Sequence, residues 1–441
     1  MSKLEVSKRS SAWVRLRKRL NRKGVVDVDV DHHRYELLNM LRSGIRDLML
    51  NHKELGPKKE LTQEDYHHTF VKEIETSGGK KFKFTSYSSS VFASIRQAVS
   101  VSEDQYLNTI APPELPYMEF MSNSRSGQDF YLSNDQQYIL KTDKKHNIDI
   151  FQSFLLEYLD HFQTYPHSLI VKFLGIYVID GPGCPRTHFL AMQNIFYPPQ
   201  RIETRFDIKG CLKNRYQKPY PPDSNILTIL KDQNFLEESI DLGVQKKWFI
   251  QQLKIDVEFL RQIGVQDYSL LIGQHKIQDT EAQKTMGDLV IRVKKSTVSS
   301  HNTLDTKMDS SIVTDKVANE RKGSIPGEVE EPVNTGYQSE NVLKVHKRIY
   351  TVPDFLKDPE KGEMSNRRLL LNCRNPLHVI NGAEKRYYLG IVDFFTKYEC
   401  RQQLGRIIKT LKYLSFDHST VPPDIYSERF LKFITERTTD S

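Results

Sequence analysis

One lysine and two aspartates, each on or just after an apolar run, carry the main chemical signal of this chain. Lys141 closes the run Tyr138-Ile139-Leu140-Lys141. Asp267 sits inside Val265-Gln266-Asp267-Tyr268-Ser269-Leu270-Leu271, and Asp393 ends Gly390-Ile391-Val392-Asp393. Lys141 lies 126 residues before Asp267, and Asp393 lies another 126 beyond it. Phosphoryl transfer uses such a set: a lysine to hold nucleotide phosphates, an aspartate for the attacking hydroxyl, and an aspartate for Mg²⁺. A lysine ending a strand is ordinarily a solvated terminus, so the reading rests on the three residues together.

The elements that must position them can be read from the hydrophobic pattern. Phe130-Tyr131-Leu132 and Tyr138-Ile139-Leu140 flank Ser133-Asn134-Asp135-Gln136, which reads as a hairpin. Ile148 to Phe162 has helical spacing, and Phe173 to Val178 and Phe189 to Met192 read as strands around Gly181-Pro182-Gly183. An antiparallel sheet with a packed helix follows, an α+β arrangement. Upstream, residues 32–55 predict a long amphipathic helix, 56–80 a polar connection, Phe82-Lys83-Phe84 a short strand and Val91 to Ala98 a helix. Downstream, Trp248 to Leu260, residues 397–413 and Tyr426 to Phe433 predict helices, with a loop from Leu414 to Asp424. Much of 294–341 is Ser, Thr, Asp, Glu, Lys, Asn and Gly, and such a stretch cannot bury enough apolar surface to offset its ordering entropy, so disorder is expected there.

Together with Arg205-Phe206-Asp207-Ile208-Lys209-Gly210-Cys211, the three islands resemble the phosphatidylinositol phosphate kinase family. Its usual forms are Ile-Ile-Lys-Thr, Asp-Leu-Lys-Gly-Ser, Met-Asp-Tyr-Ser-Leu-Leu and Gly-Ile-Ile-Asp. Ala191-Met192-Gln193-Asn194 is similar to its Met-Asn-Asn stretch between the lobes, and Lys231-Asp232-Gln233-Asn234-Phe235 to its Lys-Asp-x-Asp-Phe. The resemblance covers about residues 30 to 435, and variants such as Asp207-Ile208-Lys209-Gly210-Cys211 place the chain on a divergent branch. It implies a two-lobed kinase-like fold with an antiparallel sheet and packed helices in each lobe. The expected division is a basic arm over 1–30, a nucleotide-binding lobe over 31–195 and a catalytic and lipid lobe over 196–435, the latter carrying the 294–341 insert.

The resemblance also implies roles. Lys141, Gly127, Ser126, Gln193 and Asn194 are expected around ATP, and Asp393 on Mg²⁺. Asp267 is expected to act on the inositol hydroxyl, with Asp207, Lys209 and Arg215 lining the cleft. On their own, those last three would read as a solvated surface. The family's glutamate that orients the lysine falls on Asp149, one methylene shorter, so that salt bridge is expected to be long or absent. Ser124 to Phe130 contains a single glycine, a thin cover for phosphates, and Asp129 adds an unfavourable charge beside it. An ordinary protein kinase is not expected: His-Arg-Asp is missing, and Phe395 stands where Asp-Phe-Gly has glycine. After Asp393 the family's paired lysines fall on Gln402 and Gln403, while Arg401, Arg406, Lys409 and Lys412 remain to face a membrane.

Composition bounds the rest. Four cysteines without close pairing argue for a reducing compartment, against a disulfide framework or a zinc site. No apolar run has the roughly 18 residues of a spanning helix, so a cytoplasmic protein peripheral to the cytosolic face of membranes is expected. Residues 1–24 hold nine Lys/Arg against Glu5 alone, a balance equal to the net charge of +8 for the whole chain. Trp13, Leu16 and Leu20 form an apolar stripe among Arg15, Arg17, Lys18 and Arg19, which suits an anionic lipid surface. A solvated tail is the plain alternative. Nucleic acid is a third, resting on the arm alone, and is not expected as a partner. Two functions stay open: weak phosphorylation of a phosphatidylinositol monophosphate, foremost the 4-phosphate at its 5-hydroxyl, or a scaffold. Either admits a homodimer, or a heterodimer with related kinases.

Overall fold

The computed structural model describes residues 24–76, 78–121, 127–165, 167–197, 199, 202–221, 224–277, 379–382, 384–397 and 421–440. Eight strands make the first sheet: β1 (Val25–Asp27), β2 (Thr69–Glu75), β3 (Lys81–Tyr87), β4 (Met118–Phe120), β5 (Phe130–Leu132), β6 (Tyr138–Asp143), β7 (Phe173–Gly181) and β8 (Cys184–Gln193). Their order is β1-β4-β5-β6-β8-β7-β3-β2, antiparallel throughout. The central strand β7 is buried from Phe173 to Ile179, as its unbroken apolar run requires when both faces are covered. The α+β class and the kinase-like lobe expected from the sequence are present.

Helix α1 (Tyr35–Asn51) buries Leu37, Leu38, Met40, Leu41, Ile45 and Leu48, the stripe its spacing predicts. These residues share one core with Phe82, Phe84, Tyr138, Leu140, Tyr177, Ile179 and Phe189 of the sheet. Two short helices differ from the polar connection expected over 56–80 or were not read at all: α2 (Gln63–His67) and, after α3 (Ser89–Ala98), α4 (Glu103–Ile110). Strand β2 also falls inside that supposed connection. It is an edge strand whose outward residues are exposed and whose inward ones are only half covered, so its alternation is faint.

The single helix expected from Ile148 to Phe162 is two, α5 (Lys145–Gln152) and α6 (Leu155–Thr164). The Ser153 hydroxyl donates to the Ile150 carbonyl, and Phe154 leaves helical geometry. The break lets Phe151, Phe154 and Tyr158 join Phe173 in one aromatic cluster. That cluster receives the chain that follows Asp393.

The second sheet is smaller: β9 (Thr204–Ile208), β10 (Leu230–Lys231), then, beyond the short β11 (Ile240–Asp241) and β12 (Val265–Gln266), β13 (Ser269–Lys276), β14 (Val379–Asn381) and β15 (Lys385–Val392). Its order is β10-β9-β13-β15-β14, antiparallel except for the parallel β9–β10 pair. Helix α7 (Lys246–Gln262) and the closing helix α8 (Pro423–Glu436) belong to this lobe, as does β16 (Thr396–Lys397), the partner of β12. The lobes are tied through buried Asp256 of α7, which accepts from His161 Nε2 at 2.8 Å and from the Leu169 backbone N–H at 2.6 Å. Among the described residues, no helix is long and apolar enough to cross a membrane. Residues 398–413 of the expected helix, 414–420 of the following loop, 1–23 of the arm and the 294–341 insert lie outside the described residues, whereas the end of the expected arm supplies β1.

Candidate functional site

The two aspartates occupy matching places. Strands β13 and β15 pair with Ser269 opposite Val392, and β12 and β16 pair with Gln266 opposite Thr396. Asp267 and Asp393 lie in the two facing gaps between these ladders. Both adopt left-handed backbone, with φ of 62° and 63°. Aspartate tolerates that region better than most residues. Each is then pinned by buried aromatics. Tyr268 packs on Tyr426 and Phe430 of α8, while Phe394 and Phe395 enter the cluster of Phe151, Phe154, Tyr158 and Phe173. Phe395, a departure from the protein-kinase pattern, is therefore an anchor for the segment after Asp393.

Lys141, near the end of β6, reaches this place from the first sheet. It is 3% exposed, and its Nζ donates to Asp393 Oδ1 at 2.7 Å. Burial would lower the pKa of this ammonium, but the carboxylates of Asp393 and Asp143 overrule it and hold it above the usual value. For Asp393, withdrawal from water pushes upward, yet Lys141 prevails and keeps the carboxyl below the usual range. The Asp393 side chain remains 57% exposed. One face of it can thus meet a ligand while the other holds Lys141.

A second cation pairs with the second aspartate. Lys209 Nζ lies 2.8 Å from Asp267 Oδ1 and donates to the Asp267 carbonyl at 2.7 Å. Its backbone is held by Asp232, whose side chain is fully buried. Asp232 Oδ1 accepts from the N–H groups of Lys209, Gly210 and Cys211 at 2.9, 2.8 and 3.3 Å, and Oδ2 from Arg215 Nε at 2.6 Å. Burial pushes the Asp232 carboxyl up, with Arg215 opposing. Arg215 also donates to the Asp207 carbonyl and lies 3.4 Å from its carboxylate. The bend needs Gly210: its φ is +69°, and a Cβ there would come within 2.9 Å of Phe430 Cα. Two lysines, one arginine and the four carboxylates of Asp393, Asp267, Asp232 and Asp207 thus alternate in one place, able to bind a polyanion and a divalent cation together. Among the described residues no three His, Cys, Asp or Glu form a cage for a metal.

The family model described as Phosphatidylinositol-4-phosphate 5-Kinase matches residues 113–437. Human phosphatidylinositol 4-phosphate 5-kinase-like protein 1 is 30% identical over 435 residues, covering 98% of this chain and 93% of that protein. The chain belongs to the phosphatidylinositol phosphate kinase family. Two further members are more distant. Phosphatidylinositol 4-phosphate 5-kinase its3 of Schizosaccharomyces pombe is 26% identical over 419 residues, covering 92% of this chain and 54% of its own. Phosphatidylinositol 4-phosphate 5-kinase 4 of Arabidopsis thaliana is 26% identical over 445, covering 94% and 51%.

In this member of the phosphatidylinositol phosphate kinase family Lys141 pairs with Asp393, Lys209, Asp267, Asp207 and Arg215 gather around Asp232, and the charge of Lys209 also acts on Asp393. Asp149 is not among them: it pairs with Lys145 at 2.8 Å on the exposed side of α5. Asn194 is committed to the backbone, its Nδ2 donating to the Gln136 carbonyl and its Oδ1 accepting from the Phe196 N–H. That contact fastens the chain leaving β8 to the β5–β6 turn. Gln193 stands opposite Tyr138, and its N–H donates to the Lys172 carbonyl. Gly127 has φ +67° with open space around it. Asp129 is not left as a bare charge, because Arg34 Nη2 donates to it at 3.0 Å. Ser126, Arg401, Arg406, Lys409, Lys412, Trp13, Arg15, Arg17, Lys18 and Arg19 lie outside the described residues. Sequence reasoning missed three contributors. Asp232 was visible only as part of a family word, whereas Arg34 and Asp143 had no local signal beyond Asp143 following Lys141 by two, which puts both on one face of a strand.

Proposed function

We propose that this chain is an ATP- and Mg²⁺-dependent phosphoinositide kinase of low turnover. Its substrate in this reading is a phosphatidylinositol monophosphate, the 4-phosphate phosphorylated at the 5-hydroxyl, in line with the names of its relatives. The observation that carries it is the Lys141–Asp393 pair beside the Lys209–Asp267 pair, a cation from the first sheet meeting a cation and two carboxylates from the second lobe. When bound, MgATP supplies the phosphoryl group and the divalent charge that screens it. Lys141 then holds nucleotide phosphate oxygens, and Asp393 offers its exposed side to the cation. Asp267, steadied by Lys209 on both its carboxylate and its carbonyl, orients the inositol hydroxyl and takes its proton. Transfer of this kind depends chiefly on positioning and charge. Arg215, fixed by Asp232, is poised to meet the substrate's own phosphate.

Basic residues of the N-terminal arm and of the segment from Arg401 to Lys412 would draw the protein to anionic lipid, at about 1 kcal/mol per cation near the surface. A scaffold that pairs with active relatives is the second reading. It is favoured by the pairing of Asp149 with Lys145 rather than with Lys141 and by the kinase-like name of the human relative. The deciding experiment is radiolabelled phosphate transfer from ATP to vesicles carrying phosphatidylinositol 4-phosphate or 5-phosphate, beside Asp393→Asn. Transfer that the variant loses supports the kinase, and the preferred vesicle identifies the hydroxyl. Folded protein that transfers no more than the variant would sink the kinase reading and leave the scaffold.

A further inference from the structure

Lys141 is buried and its nearest partner, Asp393, is the carboxylate that a divalent cation would claim. A buried ammonium whose only counter-charge turns to a cation is left uncompensated, which is strongly unfavourable. The same strand carries the remedy. Asp143, two residues on and on the same face of β6, has a fully buried side chain with Oδ2 3.5 Å from Lys141 Nζ. That oxygen has no hydrogen-bond partner, whereas Oδ1 accepts from the Lys144 N–H at 2.8 Å and from Asn147 Nδ2 at 2.6 Å. The start of α5 therefore fixes the carboxylate and leaves one oxygen turned toward the lysine. Across the sheet Asp143 pairs with His188, whose own burial, with Arg186 and Lys145 nearby, keeps its pKa below the usual value. A neutral imidazole does not compete for the charge.

We propose that Asp143, on the strand itself, is the positioning residue that holds Lys141 ready for nucleotide, in place of a carboxylate from the following helix. The assignment rests on the phosphoryl-transfer reading for its purpose, while the hold on Lys141 can be measured without it. Acetylation of Lys141 by a soluble acetyl ester, read by peptide mass spectrometry on the full chain, reports how firmly the amine is held by its carboxylate partners. Asp143→Asn removes one of the two carboxylates beside the amine, so Lys141 should be acetylated several-fold faster than in the wild type. Asp149→Asn should react at the wild-type rate. MgATP should protect Lys141 in the wild type, and half-protection should need several-fold more MgATP in Asp143→Asn. If the asparagine variant does not fold, Asp143→Ser, still able to accept from the Lys144 N–H, makes the same test. Equal rates for wild type and the Asp143 variant, or an equal rise in Asp149→Asn, would overturn the assignment. A wild type that MgATP leaves unprotected would instead overturn the phosphoryl-transfer reading, and the rate comparison would still decide what Asp143 does to Lys141.

Discussion

Asp267 and Asp393 face each other across one interruption of the β structure, both with left-handed φ and both followed at once by a buried aromatic. The ladder stops on each side at the residue that carries the chemistry. Regular pairing would turn these side chains to alternate faces of a sheet. The gap releases them while Tyr268 and Phe394 keep the backbone in place.

This arrangement separates charge from backbone in a mutational test. Asp267→Asn and Asp267→Ala both lose the carboxylate and its pairing with Lys209. Both should therefore lose vesicle phosphorylation by about 10²- to 10⁴-fold, the range for a removed general base. Only alanine should also pay for a left-handed φ, at about 1 kcal/mol. Urea unfolding should find the alanine variant the less stable of the two by that amount. Equal stabilities would mean that the 62° φ of Asp267 is not maintained in solution.

Arg34 predicts a nucleotide effect at a distance from the phosphates. It pairs with Asp129, two residues beyond Gly127, and Asp129 is tied to β6 through Thr142. Arg34→Ala would expose an uncompensated carboxylate beside the phosphate loop, worth about 1 kcal/mol at the high effective dielectric of a surface, or roughly fivefold in KM for ATP. Arg34→Ala with Asp129→Asn should return KM toward wild type. A double variant no better than the single one would show that Arg34 acts in some other way.

Lys172 predicts a pH dependence of stability. Its side chain is buried, donates to the Ser168 carbonyl and lies over the Phe162 ring. Burial pushes its pKa from 10.5 down to about 7, against the pull of Asp256. Between those values the unfolded chain binds the extra proton, so stability rises with pH. The penalty is full below about pH 7 and fades toward pH 10.5. Lys172→Met should consequently be more stable than wild type at pH 7, by about 2 kcal/mol after allowing for the lost hydrogen bond. The gain should shrink at pH 10. Parallel urea titrations at the two pH values would measure it, and a gain independent of pH would exclude the titration of Lys172 as its cause.

The helical stripe of α1, the β5–β6 hairpin, the β7 and β8 strands and the placing of Asp393 just past a strand were all legible in the sequence. Each depends on periodicity or turn chemistry within about ten residues. The edge strand β2 was not, since its alternation gains meaning only once β3 lies beside it. Nor was the break at Ser153, because helical spacing continues through it. What interrupts the helix is the demand of a cluster completed by Phe394 and Phe395, more than two hundred residues away.

By itself the sequence determined the family, the α+β class and the identity of the lysine and the two aspartates. Short words in a fixed order carry that information without coordinates. Tertiary structure decided which charges meet. Lys141 and Asp393 are joined across 252 residues, Asp232 became the buried anchor of the Lys209 bend, and Asp143 rather than Asp149 was turned toward Lys141. An ion pair inside a protein is set by burial and by the direction of each side chain. Both are properties of packed elements, and local spacing encodes only which face of a strand a side chain leaves from, as for Lys141 and Asp143.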